Sequence, residues 1–346
     1  MTTPRLPAEW EPQDAIFLVW PHKDTGWNDR LEDLEQLYEA LVSVICDFAD
    51  LVIAIPESQI ERVRNRLAVM DAPLEYVYFY PSSSNDTWAR DIGPITVQTE
   101  QGMRLLDFVF NGWGQKYAFD LDNKLTKTLY DQSAFPSAQY ESVNFVLEGG
   151  SIETDGKGTL LTTRSCLLNK NRNSGLSKEQ IEQQLKSAFG VKKINWLESG
   201  YLAGDDTDGH VDVLARLCPN NTIVYTACDD EQDEHYADLK RMEAELSAMT
   251  DADGQAYRLL PLPWPGALYG DKDQRMPASY ANFLIVNEAV LVPIYDALSD
   301  EDALDVVSQA FPGYEIFGIP CSSLIERGGS LHCITMQLPE GVLLQA

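Results

Sequence analysis

No apolar run in this 346-residue chain approaches the ~20 residues that a membrane-spanning helix needs. The opening Met1-Thr-Thr-Pro-Arg-Leu-Pro7 lacks the apolar core of a signal peptide, so a cytoplasmic protein is expected. Positive charge is scarce. Lys and Arg number 26 against 54 Asp and Glu, for a net charge of −28. Nucleic acids and anionic membranes bind basic surfaces, so the balance argues against both as partners. The excess negative charge serves solubility over most of the surface and, at a site, attracts cations. Cysteine is sparse and scattered, at 46, 166, 218, 228, 321 and 333, without the spacing of metal ligands. Free thiols are expected rather than a disulfide framework, with Cys46 in the core of a helical pattern.

Histidine is scarcer still, with four in the chain, and one of them stands in an unusual place. Asp205-Asp206-Thr207-Asp208-Gly209-His210-Val211-Asp212 holds four carboxylates and a histidine in eight residues, then runs into the apolar Val213-Leu214-Ala215. Read as the start of a strand, it sets His210 and Asp212 two apart on one face. Charged groups entering a buried strand are costly unless something binds there. The order of residues does not fit a calcium loop of the EF-hand kind, and a zinc site would want Cys or more His. No metal is expected.

The length suits two domains, or one domain built of repeats. A repeat is present: an apolar strand, a polar loop, a hairpin and a helix. Its hairpins are read at Ile92–Val97 with Leu105–Phe110, Ser151–Thr154 with Thr159–Thr163, and the His210 segment with Thr222–Thr226. Two more are read at Tyr280–Val286 with Ala289–Pro293, and Ser330–Met336 with Val342–Leu344. The preceding strands are Tyr76–Tyr80, Val143–Leu147, Lys193–Leu197, Arg258–Leu262 and Glu315–Ile319. Asp155-Gly156 marks a hairpin turn, and Ser177 with Gln180 forms a capping box ahead of a helix. Asp91, Glu148, His210, Asn282 and Cys333 fall at the hairpin entries, separated by 57, 62, 72 and 51 residues. Five α/β units of ββαβ type at near-equal spacing predict a closed ring whose entries converge on one cavity.

Each entry residue has an ordinary reading when taken alone. Asp91 precedes Gly93-Pro94 as a turn residue would, Glu148 suits a solvated loop, His210 and Asp212 suit a structural pair, and Cys333 a buried thiol. Together they put a cysteine, a histidine and three carboxylates around one cavity. Carboxylates raise a thiol's pKa, so the set is poor for a resting thiolate and good for holding a planar guanidinium, which two carboxylates can clamp. The bound cation would then help to make its own nucleophile. Trp88 and Trp113 can stack on such a cation or serve as core aromatics. His332, adjacent to Cys333, faces away and reads as structural.

These residues lie in stretches that resemble the agmatine deiminase/peptidylarginine deiminase family of the guanidine-modifying superfamily. The stretches are Pro7-Ala-Glu-Trp-Glu-Pro12, Asn85-Asp-Thr-Trp-Ala-Arg-Asp-Ile-Gly-Pro94, Phe110-Asn-Gly-Trp-Gly114, Leu147-Glu-Gly-Gly-Ser-Ile152, Thr207-Asp-Gly-His-Val-Asp212, Ser279-Tyr-Ala-Asn-Phe283 and Gly329-Ser-Leu-His-Cys-Ile-Thr-Met-Gln337. They run over almost the whole chain. The resemblance implies a single catalytic domain over residues 1–346 with the fold of a five-bladed α/β propeller (pentein). It implies Cys333 as nucleophile, His210 as general acid and then base, Asp91 and Asp212 as guanidinium carboxylates, and Glu148 orienting the histidine and helping to hold substrate. It implies no metal or organic cofactor, and a homodimer. Agmatine is the expected substrate, because it carries a second cation and no carboxylate. Asp206 is a candidate for its distal amine, and Arg327 is the residue that would instead suit a substrate carboxylate. Peptidyl-arginine is the alternative substrate. A silent cation-binding protein and a Cys-His hydrolase are alternatives of other classes, and neither uses the full set of residues.

Overall fold

A computed structural model describes residues 3–343. Its contacts divide into two compact units. One comprises the residues up to Trp10 together with Gly150–His332, and the other comprises Glu11–Gly149 with the residues from Cys333 onward. The fold is mixed α/β.

The first unit holds three three-stranded sheets built to one plan. An antiparallel hairpin is followed by a helix, and a further strand pairs parallel to the hairpin's second strand. Ile152–Thr154 pairs with Thr159–Thr163, which pairs in parallel with Lys193–Leu197. Ala215–Cys218, Thr222–Thr226 and Arg258–Leu262 repeat this, as do Leu284–Val286, Ala289–Ile294 and Glu315–Pro320. The crossover helices are Lys178–Phe189, Tyr236–Ala248 and Asp300–Ala310. A parallel return needs such a crossover, which is why the helix falls between the second and third strands. Local chemistry sets the boundaries. Asp155 Oδ1 accepts from the amides of Lys157 (2.8 Å) and Thr159 (2.9 Å), closing the first hairpin. Ser177 and Gln180 form the reciprocal cap that opens Lys178–Phe189, and Gly190 ends it at φ 69°. Ile181, Leu185 and Phe189, four apart, turn the helix's apolar face inward.

The second unit follows the same plan twice. Ile95–Thr99, Gly102–Val109 and Gln139–Val146 form one sheet, with the helix Leu125–Asp131 in the crossover. The other begins with a pairing of chain ends: Thr335–Pro339 runs antiparallel to Gln13–Val19. The helix Leu31–Ile45 then leads to the parallel strand Asp50–Ile55, and Ile60–Val69 leads to Val77–Pro81 at the edge.

Several expectations change. The strands read as leading each unit are the closing strands of the preceding sheet, so the repeat is shifted in phase. The last hairpin pairs with the N-terminal Gln13–Val19 rather than with Val342–Leu344. Val342 and Leu343 are not strand, and Leu344 lies outside the described residues. Hairpin entries begin later than read, at Ile95, Ala215, Leu284 and Thr335, because helical turns precede Ile95, Ala215 and Thr335 and a non-helical turn precedes Leu284. Cys46 caps the helix Leu31–Ile45 and is half-buried rather than core. All six cysteines are free thiols. Among the described residues, no helix is long and apolar enough to cross a membrane.

Candidate active site

The entry residues share a local structure that alternation along a strand does not describe. Asp91 lies in the helical turn Ala89–Ile92 ahead of Ile95–Thr99. Glu148 precedes the 3₁₀ turn Gly149–Ser151 ahead of Ile152–Thr154. His210 caps the 3₁₀ turn Val211–Val213, which contains Asp212, ahead of Ala215–Cys218. Cys333 is the middle of the 3₁₀ turn His332–Ile334 ahead of Thr335–Pro339. His210 and Asp212 are therefore not alternating strand residues. All five side chains are buried: Asp91 6%, Glu148 0%, His210 1%, Asp212 0% and Cys333 6% exposed. Four ionisable groups kept from water at the same step of a repeat are not what a stable core selects.

In the unit containing Glu11–Gly149, Asp91 Oδ2 accepts from Trp113 Nε1 at 2.9 Å. The indole is aimed there by a strained backbone. Gly112, Trp113 and Gly114 have φ of 67°, 52° and 87°. A left-handed tryptophan is uncommon, and here Asn111 Oδ1 pins the turn by accepting from the Gly114 amide at 2.8 Å. A Cβ on Gly112 would lie 2.5 Å from the Tyr117 carbonyl, so the turn requires glycine. Trp113 thus orients a carboxylate, a contact that sequence reading did not anticipate. Trp88 packs against Trp27, ring centroids 5.7 Å apart. Arg90 is buried and reaches Gln337 and Met336. Gly149 is needed because a Cβ there would come within 2.2 Å of the Arg90 carbonyl.

The Asn85–Asp91 segment rests on two more carboxylates. Asp122 Oδ1 accepts from the Asn85 amide at 2.6 Å, and Asp86 Oδ1 accepts from Trp27 Nε1 at 3.0 Å and from the Thr87 amide at 2.8 Å. Burial raises Asp86 to about 6 and Asp122 to about 7. Both values lie above the unfolded value near 3.9, so between about pH 4 and pH 7 the folded state holds protons that the unfolded chain has lost. Stability is then greatest at the acid end of this window and falls as pH rises through it. Asp122→Asn removes its share. Melting curves should show the variant more stable than wild type above pH 7.5, by roughly 2–4 kcal/mol at about 1.4 kcal/mol per unit, with no gain near pH 4. A pH-independent difference would rule this account out.

In the unit containing Gly150–His332, the loop before His210 is held from within. Asp205, half-buried and with its pKa raised by desolvation, accepts from the amides of Thr207 (2.9 Å) and Gly209 (3.0 Å) and from the Thr207 hydroxyl (2.6 Å). Thr207 Oγ1 then accepts from the His210 amide at 3.0 Å. Buried Arg172 donates to Asp208 Oδ2 (2.6 Å) and to the Thr207 carbonyl (2.7 Å). Asp205 and Asp208 are thus scaffold. Asp206 lies beside the Arg327–Gly328 turn, its Oδ1 3.4 Å from where a Gly328 Cβ would sit. Val211 and Val213, flanking Asp212, are buried in a core with Leu161, Leu197, Leu214, Met242 and Leu246.

Asp212 itself faces His332. Its Oδ2 lies 2.8 Å from His332 Nδ1, and His332 Nε2 lies 2.8 Å from Glu9 Oε2. Burial alone would raise the Asp212 carboxyl, but the His332 hydrogen bond and the nearby positive charge bring it below its ordinary value. Glu9, Glu153 and His332 offer one ligand atom each within 4.8 Å of one another, a grouping suited to a metal by distance. The Arg216 guanidinium already sits among them, bonded to both glutamates, so the donor set does not fit a further cation.

Comparison with known proteins places the chain. Residues 5–339 match the Porphyromonas-type peptidyl-arginine deiminase family. An agmatine deiminase of Medicago truncatula is 35% identical, over 96% of each chain. Among solved structures, a Cys-to-Ser variant of the C. jejuni agmatine deiminase with substrate bound is 37% identical, with a TM-score of 0.90 over 99% of this chain and 98% of that one. A Porphyromonas gingivalis protein provisionally named an arginine deiminase is 44% identical, with a TM-score of 0.91 over 99% and 100%. The chain belongs to the Porphyromonas-type peptidyl-arginine deiminase family, alongside the agmatine deiminases.

Proposed function

We propose that the protein hydrolyses agmatine to N-carbamoylputrescine and ammonia. The observation that carries this reading is the repeated placement of Asp91, Glu148, His210, Asp212 and Cys333, each buried at the turn that opens a hairpin. Five hairpin–helix–strand modules of one topology support a single catalytic domain with the five-bladed propeller arrangement, in which those turns would converge. We take the protein to be a cytoplasmic homodimer.

In this reading Asp91 and Asp212 hold the guanidinium nitrogens, with Glu148 beside them orienting His210. The Cys333 sulfur attacks the guanidinium carbon. His210 gives a proton to the departing nitrogen, ammonia leaves, and an S-alkylthiouronium remains on Cys333. His210 then takes a proton from water, whose oxygen attacks the same carbon. The C–S bond breaks, the thiol is restored, and a neutral urea leaves a site built for a cation. No metal or organic cofactor enters these steps. Trp113 secures Asp91, Trp88 lines the same segment, and Asp206 is the candidate for the distal amine.

Agmatine is favoured over free arginine because the carboxylate of arginine would need a cationic clamp. Arg90 is turned to Gln337 and Arg172 to Asp208, which leaves Arg327 as the residue to test for that role. Purified protein should release ammonia and ureido product from agmatine at least ~10-fold faster, in kcat/KM, than from arginine or an arginine-containing peptide. Preference for the peptide would move the substrate to protein-bound arginine. No product from any guanidine would remove the deiminase reading.

A further inference from the structure

We infer that His332 is a positioning residue for Asp212, and that Glu9 and Arg216 hold its ring in the orientation that this task requires. The inference rests on the reading of Asp212 as a guanidinium carboxylate.

The geometry has little freedom. Nδ1 of His332 is 2.8 Å from Asp212 Oδ2, and Nε2 is 2.8 Å from Glu9 Oε2. A single N–H on Nδ1 suffices to donate to Asp212. Arg216 Nη2 donates to the same Glu9 Oε2 at 2.8 Å and lies within hydrogen-bond distance of His332 Nε2 at 3.1 Å, so Glu9 and Arg216 together fix that end of the ring. The remaining ties are to the frame. Glu9 Oε1 accepts from the Ile285 amide at 2.8 Å, the His332 amide donates to Asn282 Oδ1 at 3.0 Å, and Arg216 is bonded to Glu153. Glu9, Asp212, Arg216 and His332 are all at least nine-tenths buried.

A buried carboxylate with one oxygen fixed by a ring N–H has a set direction for the other, as a planar guanidinium needs. A neutral, well-packed core would be no less stable than such a cluster, so its presence is better explained by the anion it holds in place.

Two substitutions separate the halves of the relay. The amide nitrogen of Asn can stand near Nδ1, and that of Gln near Nε2. His332→Asn keeps the donor to Asp212, whereas His332→Gln keeps only the link to Glu9. KM for agmatine is expected to rise at least ~10-fold in His332→Gln and at most ~3-fold in His332→Asn, with kcat changed less than KM in both. Melting temperatures measured alongside should not follow that order. Wild-type protein that converts no guanidine overturns the functional reading. An active wild type whose His332→Gln variant keeps its KM overturns the relay.

Discussion

Cys333→Ala is expected to lower turnover of agmatine by at least ~10⁴-fold while leaving its binding measurable. The carboxylates proposed to hold the guanidinium are untouched by the change, so calorimetry on the variant should still show agmatine bound. Mass spectrometry of wild-type protein quenched during turnover should find the amidino adduct on Cys333. The other thiols are poorly suited to replace it. Burial pushes Cys46 up to about 12 and raises Cys218, Cys228 and Cys321 as well, so none of these is a thiolate near neutral pH. Cys166 is fully buried in the turn Arg164–Leu167. Activity retained in Cys333→Ala would move the nucleophile elsewhere. Loss of binding along with turnover would mean that Cys333 shapes the site rather than attacking.

What could be read from sequence follows the range of the interactions involved. Strands such as Thr159–Thr163, Lys193–Leu197, Thr222–Thr226 and Arg258–Leu262 have the bounds that their apolar runs and turn residues set. The cap at Ser177 is equally local. The turns at Ala89–Ile92, Val211–Val213 and His332–Ile334 are three or four residues long, too short to carry a periodic signal, and were read as strand. The pairing of Gln13–Val19 with Thr335–Pro339 joins the chain's ends, which no local pattern encodes. At the site, residue type and spacing singled out the five entry residues. Their partners were missed, although a signal existed. Glu153 in a short apolar strand and Arg216 in Ala215–Cys218 are charges where core is expected, and each had to find the other. Trp113 carried a fainter mark in the glycines on either side of it.

Arg216 carries the largest expected effect on stability. Its guanidinium is fully buried, bonded to Glu153 and Glu9, to the carbonyls of Ala281 and Phe283, and stacked 4.4 Å from the Phe283 ring centroid. Removing one partner of a buried ion pair costs about 3–5 kcal/mol, mostly because the other charge is left in the core. Arg216→Met should lose that much in denaturant unfolding, and Glu9 and Glu153 are the groups that would suffer. Burial already raises Glu153, with Arg216 the main influence holding it down. Without the arginine its carboxyl rises further, so the folded variant takes up a proton that the unfolded chain releases. The sign follows: Arg216→Met should lie nearest to wild type around pH 4 and fall away as pH rises toward 8. Pairing it with Glu153→Gln should recover part of the loss, because the stranded charge is then gone. Arg216→Lys should not restore stability, since one ammonium cannot serve two carboxylates and two carbonyls in the plane of a guanidinium. A loss under about 1 kcal/mol, or one that does not grow with pH, would mean that the carboxylates find other partners in the fold.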